Sequence, residues 1–290
     1  MTRTAISPRL AISTLENTLY GGPVDLDRAR FELASTRFSR FDWVDEIGST
    51  NVTLLERARS GEGEQVLGAD HQTAGRGRLG RIWQAPPRAS ILCSVLIRAQ
   101  IAAGDAHVMT AALGLAAADA CSVVAGYDPG LKWPNDLVAV GVGADGSDRK
   151  LAGILAESVL VGGNIDAVSI GIGLNVNWPE ALPDDLVEIA TSLRHLTGSV
   201  QDRTALVVEM LRGFDRRLGD IDQRGPTVLL DELRQRSATL GRRVRIELPR
   251  AELYGIAVDL SPSGALIIED DQGVRRDISV GDVVHLRPAE

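Results

Sequence analysis

Lys150-Leu151-Ala152-Gly153-Ile154-Leu155-Ala156-Glu157 and Val168-Ser169-Ile170-Gly171-Ile172-Gly173-Leu174-Asn175-Val176-Asn177 are two apolar runs joined through the turn Val161-Gly162-Gly163-Asn164-Ile165. Short runs rich in branched residues read as strands, and so short a connection makes them antiparallel neighbours. The run before them, Gly130-Leu131-Lys132-Trp133-Pro134-Asn135-Asp136-Leu137-Val138, reaches Lys150 through the hairpin loop Gly141-Val142-Gly143-Ala144-Asp145-Gly146-Ser147-Asp148. Three strands linked by hairpins exclude a doubly wound parallel sheet and predict an antiparallel or mixed one.

These strands carry unusual residues for a packed sheet. The glycines of the last one mark places where a ligand or another backbone comes close. Lys150 sits at the mouth of a continuously apolar strand, where burial disfavours its charge unless an anion lies beside it. The plainer alternative is a strand-end lysine whose stem lies on apolar surface and whose head reaches water. Pro134 favours a strand end, an edge or a bulge. The run from Lys132 to Asp136 is then either a simple exposed turn or a polar set around one Trp that is costly to bury without a partner.

Upstream lies Gly75-Arg76-Gly77-Arg78-Leu79-Gly80-Arg81, entered through His71-Gln72-Thr73-Ala74 and left through Ile82-Trp83. Its glycines free the backbone for close approach, and its arginines are planar forks suited to carboxylate and phosphate oxygens. The expectation is an anion-clamping loop that orders when a phosphate-bearing ligand arrives. A disordered RNA-binding segment is the alternative, but this stretch is single, internal and flanked by apolar runs at 66–69 and 91–97.

Around the loop, residues 41–47 and 65–70 read as strands. Gly48-Ser49-Thr50-Asn51 opens a helix to about Arg59. A capping role is the first reading of Ser49 or Thr50, and a ligand at the helix N-terminus the second. An alanine-rich helix, with Asp105 as its expected cap, runs to about Gly126. Leu206, Met210, Phe214 and Leu218 recur at a spacing of four on a helix over 204–218, and another helix is expected over 227–236. Residues 1–40 hold two weak helical stretches, 8–19 and 25–34, read as an arm packed on the main domain. From Gly241, five short alternating runs (244–248, 253–260, 265–269, 274–279 and 283–287) separated by turn clusters predict a small barrel whose role is packing and support.

Composition bounds the function. Of 290 residues, 44% are hydrophobic and 24% charged, as in ordinary globular proteins, and the formal net charge of −8 argues against a general nucleic-acid binder. Cys93 and Cys121 are too few for a disulfide framework, so a reducing, cytoplasmic setting is expected. His71, His107, His195 and His285 are scattered and form no metal-ligand pattern. No signal peptide is visible at the N-terminus, and no apolar run is expected to approach the ~20 residues that span a bilayer. Walker, dinucleotide and kinase signatures are absent, so a nucleotide-like polyanion would bind in an unusual site.

Four stretches, 75–81, 132–136, 150–155 and 171–177, resemble in order and spacing the motifs of biotin protein ligases, closely over 48–177, and the small C-terminal barrel is similar too. The resemblance implies an α+β (α/β) fold: a mixed sheet flanked by helices, like class II aminoacyl-tRNA synthetases and biotinyl/lipoyl ligases, followed by an SH3-like barrel. The expected divisions are an arm at 1–40, a catalytic domain at 41–238 and the barrel at 239–290. It implies that the chain activates biotin with ATP, magnesium being expected with the nucleotide, to biotinyl-5′-AMP and pyrophosphate. Biotin would then pass to a lysine of a biotin carboxyl carrier domain of an acyl-CoA carboxylase. By position, Ser49, Thr50, Asn51, Gln72, Gly75, Arg76, Gly77, Arg78, Lys150 and Gly153 would serve biotin. Arg78, Arg81, Trp83, Lys132, Asn135, Lys150 and Asn175 would meet the adenylate or phosphates. Arg78 and Lys150 are the expected transition-state stabilisers, and Asp136 is a candidate for steering or deprotonating the incoming amine, with turn capping as its other reading. Some relatives carry an N-terminal winged helix-turn-helix. The residues before Phe41 are too few and lack a basic recognition helix, so no DNA binding and no membrane attachment are expected. Metal ligands stay unknown and the oligomeric state open, a monomer being the simpler expectation. Lipoate ligases and octanoyl transferases on the same fold, or a non-catalytic sensor, are the competing readings.

Overall fold

The computed structural model describes residues 21–98, 106–162, 164–182, 184–248, 251–279 and 281–285. The predicted hairpin is its centre: β6 (Arg149–Val161) pairs antiparallel with β7 (Asn164–Asn175), with Ala152 opposite Leu174 and Gly153 opposite Gly173. To one side lie β5 (Asp136–Ala139) and the edge strand β4 (Gly130–Lys132). To the other lie β3 (Ser90–Ile97), β2 (Gln65–Gln72) and β1 (Phe41–Ile47). The seven strands run β1-β2-β3-β7-β6-β5-β4, and only β1 and β2 pair in parallel. Their crossover is the helix Thr50–Arg59, so the sheet is mixed, one of the two arrangements the hairpins allowed.

Strand alternation divides the sheet into two faces. Val168, Ile170, Ile172 and Leu174 of β7, with Ile91, Val95 and Ile97 of β3, enter the main core. The helices there are α1 (Leu26–Leu33), the alanine-rich α3 (Ala106–Ala125) and α6 (Arg203–Arg224). Leu206, Met210, Phe214 and Leu218 are all buried, as their spacing predicted. Small residues let α3 and α6 approach: a Cβ at Gly213 would lie 3.3 Å from that of Ala116. Asp25 and Asp202 cap α1 and α6 by accepting from the N–H of Arg28 and Ala205, both at 3.0 Å. Ala29, Leu33 and Phe38 belong to this core, and Phe38 stacks on Phe214 with centroids 5.6 Å apart.

The other face is covered by α2 (Thr50–Arg59), whose Leu54, Leu55 and Ala58 meet Leu67, Leu96, Val159 and Ala167. Beyond β7 come the short helices α4 (Asp184–Val187) and α5 (Leu193–Thr197). After α6, a 3-10 turn (Pro226–Leu229) leads into α7 (Leu230–Gln235). Strands β8 (Arg243–Leu248), β9 (Ala251–Leu260), β10 (Leu266–Glu269), β11 (Arg275–Ile278) and β12 (Asp282–His285) follow. They form an antiparallel five-stranded sheet in the order β11-β10-β9-β8-β12, with a separate core of Val244, Ile246, Ala257, Leu266 and Ile268. Leu230, Leu233 and Trp133 seal that core against the large domain.

One expectation needs correction. His107–Ala125 is long and apolar enough to cross a membrane by length and composition, but 67% of its most apolar window is buried inside the protein. A helix apolar around most of its surface suits a position between a sheet and a second helix layer. The stretch 8–19, residues 286–287 and the cap assigned to Asp105 lie outside the described residues.

Candidate active site

On the α2 side, β7 presents Ser169, Gly171, Gly173 and Asn175 in alternation, and β6 presents Gly153, Leu155 and Glu157. The glycines leave a shallow floor beside the first turn of α2. Above it lies a cavity of about 550 Å3, walled by loop 76–84 and by the turn around Trp133 and Pro134. Of the site residues expected from the sequence, all but Gly75 line it. Gly75 acts from behind: a Cβ there would stand 2.4 Å from the carbonyl oxygen of Trp83, whereas one at Gly77 would meet only ordinary contacts.

The polar end of the cavity is built on the start of α2. Ser49 occupies the cap position but makes no side-chain capping bond. Instead the N–H and hydroxyl of Thr50 donate to Gln72 Oε1 at 2.8 and 3.1 Å, and Thr50 Oγ1 shares a 2.7 Å hydrogen bond with Ser94. Gln72, 22 residues away, satisfies the N–H of the first helical residue, one of the open donors at the start of a helix. Asn51, buried, donates from Nδ2 to Glu157 Oε2 at 2.6 Å and accepts from Ser169 Oγ at 2.6 Å. Sequence reasoning missed Ser94, Ser169 and Glu157 as part of this network. The alternation that puts Gly171 on this face also puts Ser169 there, so one signal was present.

The arginine loop differs from its expectation. It is folded as a small hairpin: Gly77 N donates to Arg81 O at 2.7 Å, and Trp83 N donates to Gly75 O at 3.0 Å. At its tip Leu79 takes a left-handed φ of 55° and is exposed. The protein supplies its own anions to the arginines. Arg76 pairs with Glu157, Arg81 with Asp282 at 2.5 Å, and Arg78 donates to Asn135 Oδ1 at 3.1 Å with Asp282 at 3.5 Å. Asp282 opens strand β12, so the barrel contributes to the site beyond packing and support. Sequence carried no signal for this contact, which spans 204 residues.

The turn after β4 is held from every side. Trp133 N donates to Thr239 Oγ1 at 3.1 Å and its indole to Gly264 O at 3.0 Å, both from the barrel side, and the Trp133–Pro134 peptide is cis. Asn135 Nδ2 donates to Ile154 O at 2.7 Å. Burial pushes the Lys132 ammonium below the ordinary lysine range, against the opposing pull of Asp136, Asp148 and Asp282. Behind it His285 meets Asp148 at 2.9 Å and Thr239 at 3.1 Å, while Arg242 donates to Asp148 at 2.8 Å. Burial also lowers the His285 pKa, assisted by Lys132 and Arg242.

Lys150 lies between Asp136, 2.7 Å from its Nζ, and the ring of Trp83, whose centroid is 5.4 Å away. Trp83 lies flat on the glycine floor, where a Cβ at Gly173 would come within 2.3 Å of its ring. Two buried polar atoms here lack a protein partner, Trp83 Nε1 and Asn175 Oδ1. The Asn175 amide is oriented by donation to Thr191 O at 3.0 Å. Among the described residues no group of three His, Cys, Asp or Glu could hold a metal. A magnesium ion carried by nucleotide phosphates would keep most of its ligands as waters and phosphate oxygens and need one or two protein carboxylates, and Asp136 and Asp282 line this cavity. A second, mostly apolar cavity of about 440 Å3 lies beyond the turn and shares with the first only Lys132–Asp136 and Ile154.

Comparison with known proteins agrees with this geometry. The Biotin/lipoate A/B protein ligase family matches residues 43–175, and the Biotin protein ligase C terminal domain matches residues 239–286. The chain is 39% identical over 274 residues to the biotin--[acetyl-CoA-carboxylase] ligase of Mycobacterium tuberculosis, covering 91% of this chain and 97% of that one. It is 31% identical to the bifunctional ligase/repressor of Bacillus subtilis, covering 82% of this chain and 73% of that one. The biotin protein ligase of Aquifex aeolicus in complex with biotin and ATP superposes with a TM-score of 0.73 at 27% identity, covering 87% of this chain and all of that one. With a sheet, a barrel and a loop-walled cavity arranged in this way, the chain belongs to the biotin protein ligase family.

Proposed function

We propose that this chain joins biotin to ATP as biotinyl-5′-AMP, releasing pyrophosphate, and transfers the biotinyl group to a lysine of a biotin carboxyl carrier domain of an acyl-CoA carboxylase. The observation that carries this reading is the convergence of the arginine loop, the Lys132–Asp136 turn, Lys150 and Asn175 on one glycine-floored cavity.

In the first step a biotin carboxylate oxygen attacks the α-phosphorus, and the bond to the bridging oxygen of pyrophosphate breaks. Charge shifts onto phosphate oxygens, so catalysis is positioning plus fixed positive charge. We assign that charge to Arg78 and Lys150, with Arg81 and Lys132 on the phosphates and Trp83, Asn135 and Asn175 around the adenylate. Magnesium, when bound with ATP, neutralises phosphate charge further. Ser49, Thr50, Asn51, Gln72, Gly75, Arg76, Gly77 and Gly153 form the biotin end, where Gln72 and Asn51 are already oriented by Thr50, Glu157 and Ser169. In the second step a neutral lysine amine attacks the acyl carbon and AMP departs. Asp136 faces that task while paired with Lys150, so its first effect is to hold Nζ in place and its second to take the amine proton. Asp136→Asn with unchanged amine transfer from preformed adenylate would remove the second role.

The decisive experiment is ATP–pyrophosphate exchange with biotin, with lipoate and with neither. Biotin-dependent exchange supports the reading, and lipoate-dependent exchange replaces the substrate. Biotin binding without exchange would reduce the protein to a sensor.

A further inference from the structure

Resting on that reading, we propose that Glu157 is a positioning residue for biotin: it couples the seating of the arginine loop to the orientation of the Asn51 amide. Glu157 lies on β6 past the point where β5 stops pairing, at Gly153, and directly opposite Ser169 of β7. One carboxylate oxygen accepts from Asn51 Nδ2 at 2.6 Å, and the other meets Arg76 of the loop. Ser169 donates to Asn51 Oδ1 at 2.6 Å. With its oxygen turned to Ser169 and one amide hydrogen spent on Glu157, Asn51, which lines the cavity, keeps a second N–H that these bonds do not use. A ligand group at that point must therefore be an acceptor, such as a carbonyl oxygen.

The same carboxylate anchors Arg76, whose backbone closes the loop hairpin opposite Ile82. A single carboxylate thus serves a buried amide on α2 and a half-exposed guanidinium on the loop. Charge-assisted bonds of this kind are stronger than neutral ones, and removal of the shared partner releases both groups together. Ligand recognition and loop closure then rise and fall as one unit. Glu157 does not line the cavity and acts only through Asn51 and Arg76, both assigned to the biotin end, so its effect falls on biotin binding rather than on the chemical step.

The test uses the full chain. Biotin binding is measured by calorimetry without ATP, and KM values for biotin and ATP by pyrophosphate exchange, for the parent, Glu157→Gln, Arg76→Gln and the double variant. Glu157→Gln is expected to weaken biotin binding by about ten- to a hundredfold, the loss typical of a charged hydrogen-bond partner. KM for ATP is expected to stay within about twofold, and the double variant to lose no more than the worse single one. Glu157→Asp, which keeps the charge but withdraws it, is expected to fall between. Unchanged biotin affinity in Glu157→Gln overturns the proposal, as do losses that add in the double variant. A parallel rise in the ATP KM also overturns it, because that marks a general structural role. A parent that fails to bind biotin overturns the functional reading first, and this inference with it.

Discussion

The arginine loop and the Lys132–Asp136 turn face each other across one cavity, yet they are held by different physics. The loop leaves Leu79 and Ile82 exposed and relies on ion pairs of its arginines with Glu157 and Asp282. The turn is wedged between the sheet edge and the barrel, with Trp133 packed on the barrel core and hydrogen-bonded to Thr239 and Gly264. Ion pairs whose arginine end stands in water, as at Arg76 and Arg81, are weakened by salt. The loop's backbone hairpin and the packed turn are insensitive to salt, so only the loop's side-chain anchors yield to it. The wall that must admit a ligand is the weakly held one, and the wall that must present fixed groups is the rigid one.

Mutations at the chemistry should break the pair most severely. Arg78→Ala, from the loop, and Lys150→Ala, at the strand mouth, are each expected to slow biotin-dependent pyrophosphate exchange by about 10²–10³, as for loss of one pre-organised donor. An effect below tenfold for either would remove it from the charge-stabilising set. Next in size is the loop backbone. Gly75→Ala drives a Cβ against the Trp83 carbonyl, while Gly77→Ala meets no close atom. Gly75→Ala should cost about 1–3 kcal/mol in biotin affinity through overpacking, with Gly77→Ala nearly silent. Equal effects would mean that loop flexibility, not the contact with Trp83, is what the glycines provide.

A pH titration probes the rigid wall. The folded pKa of His285 lies below its ordinary 6.5. As pH falls from about 6.5 toward that lower value, the unfolded chain takes up the proton first, so stability declines. One such group gives a slope of at most about 1.4 kcal/mol per pH unit. His285→Gln should flatten that part of the stability profile measured by denaturant unfolding; an unchanged slope would assign the window to other groups. Salt separates the two walls more gently. Asp282→Asn should tighten ATP binding and steepen its fall with ionic strength by freeing Arg81 from a competing carboxylate, an effect of about 1 kcal/mol or less for an exposed arginine. Smallest of all, Cys93 should resist thiol reagents near neutral pH, because burial pushes its pKa up to about 12. Rapid labelling would show that the main core beneath β3 opens.

The sequence alone ruled out a doubly wound parallel sheet, since hairpin-length connections between the apolar runs of its centre make those strands antiparallel neighbours; the parallel pair of β1 and β2 at the far edge lay outside that argument. It also determined the spacing of the buried stripe on α6 and singled out the arginine loop, the Lys132–Asp136 turn, Lys150 and Asn175, which are local patterns of glycine, charge and proline; the biotin-end assignments came only through the family resemblance. Only tertiary structure decided what those residues touch. Gln72 accepts from the first amide of α2 while Ser49 makes no capping bond, Glu157 reaches Arg76 across 81 residues and Asp282 reaches Arg78 across 204. Periodicity and turn chemistry act over a few residues and are written in the chain. The partner of a charge is chosen by which distant carboxylate the packed sheet and barrel bring within reach, and no local pattern encodes that distance.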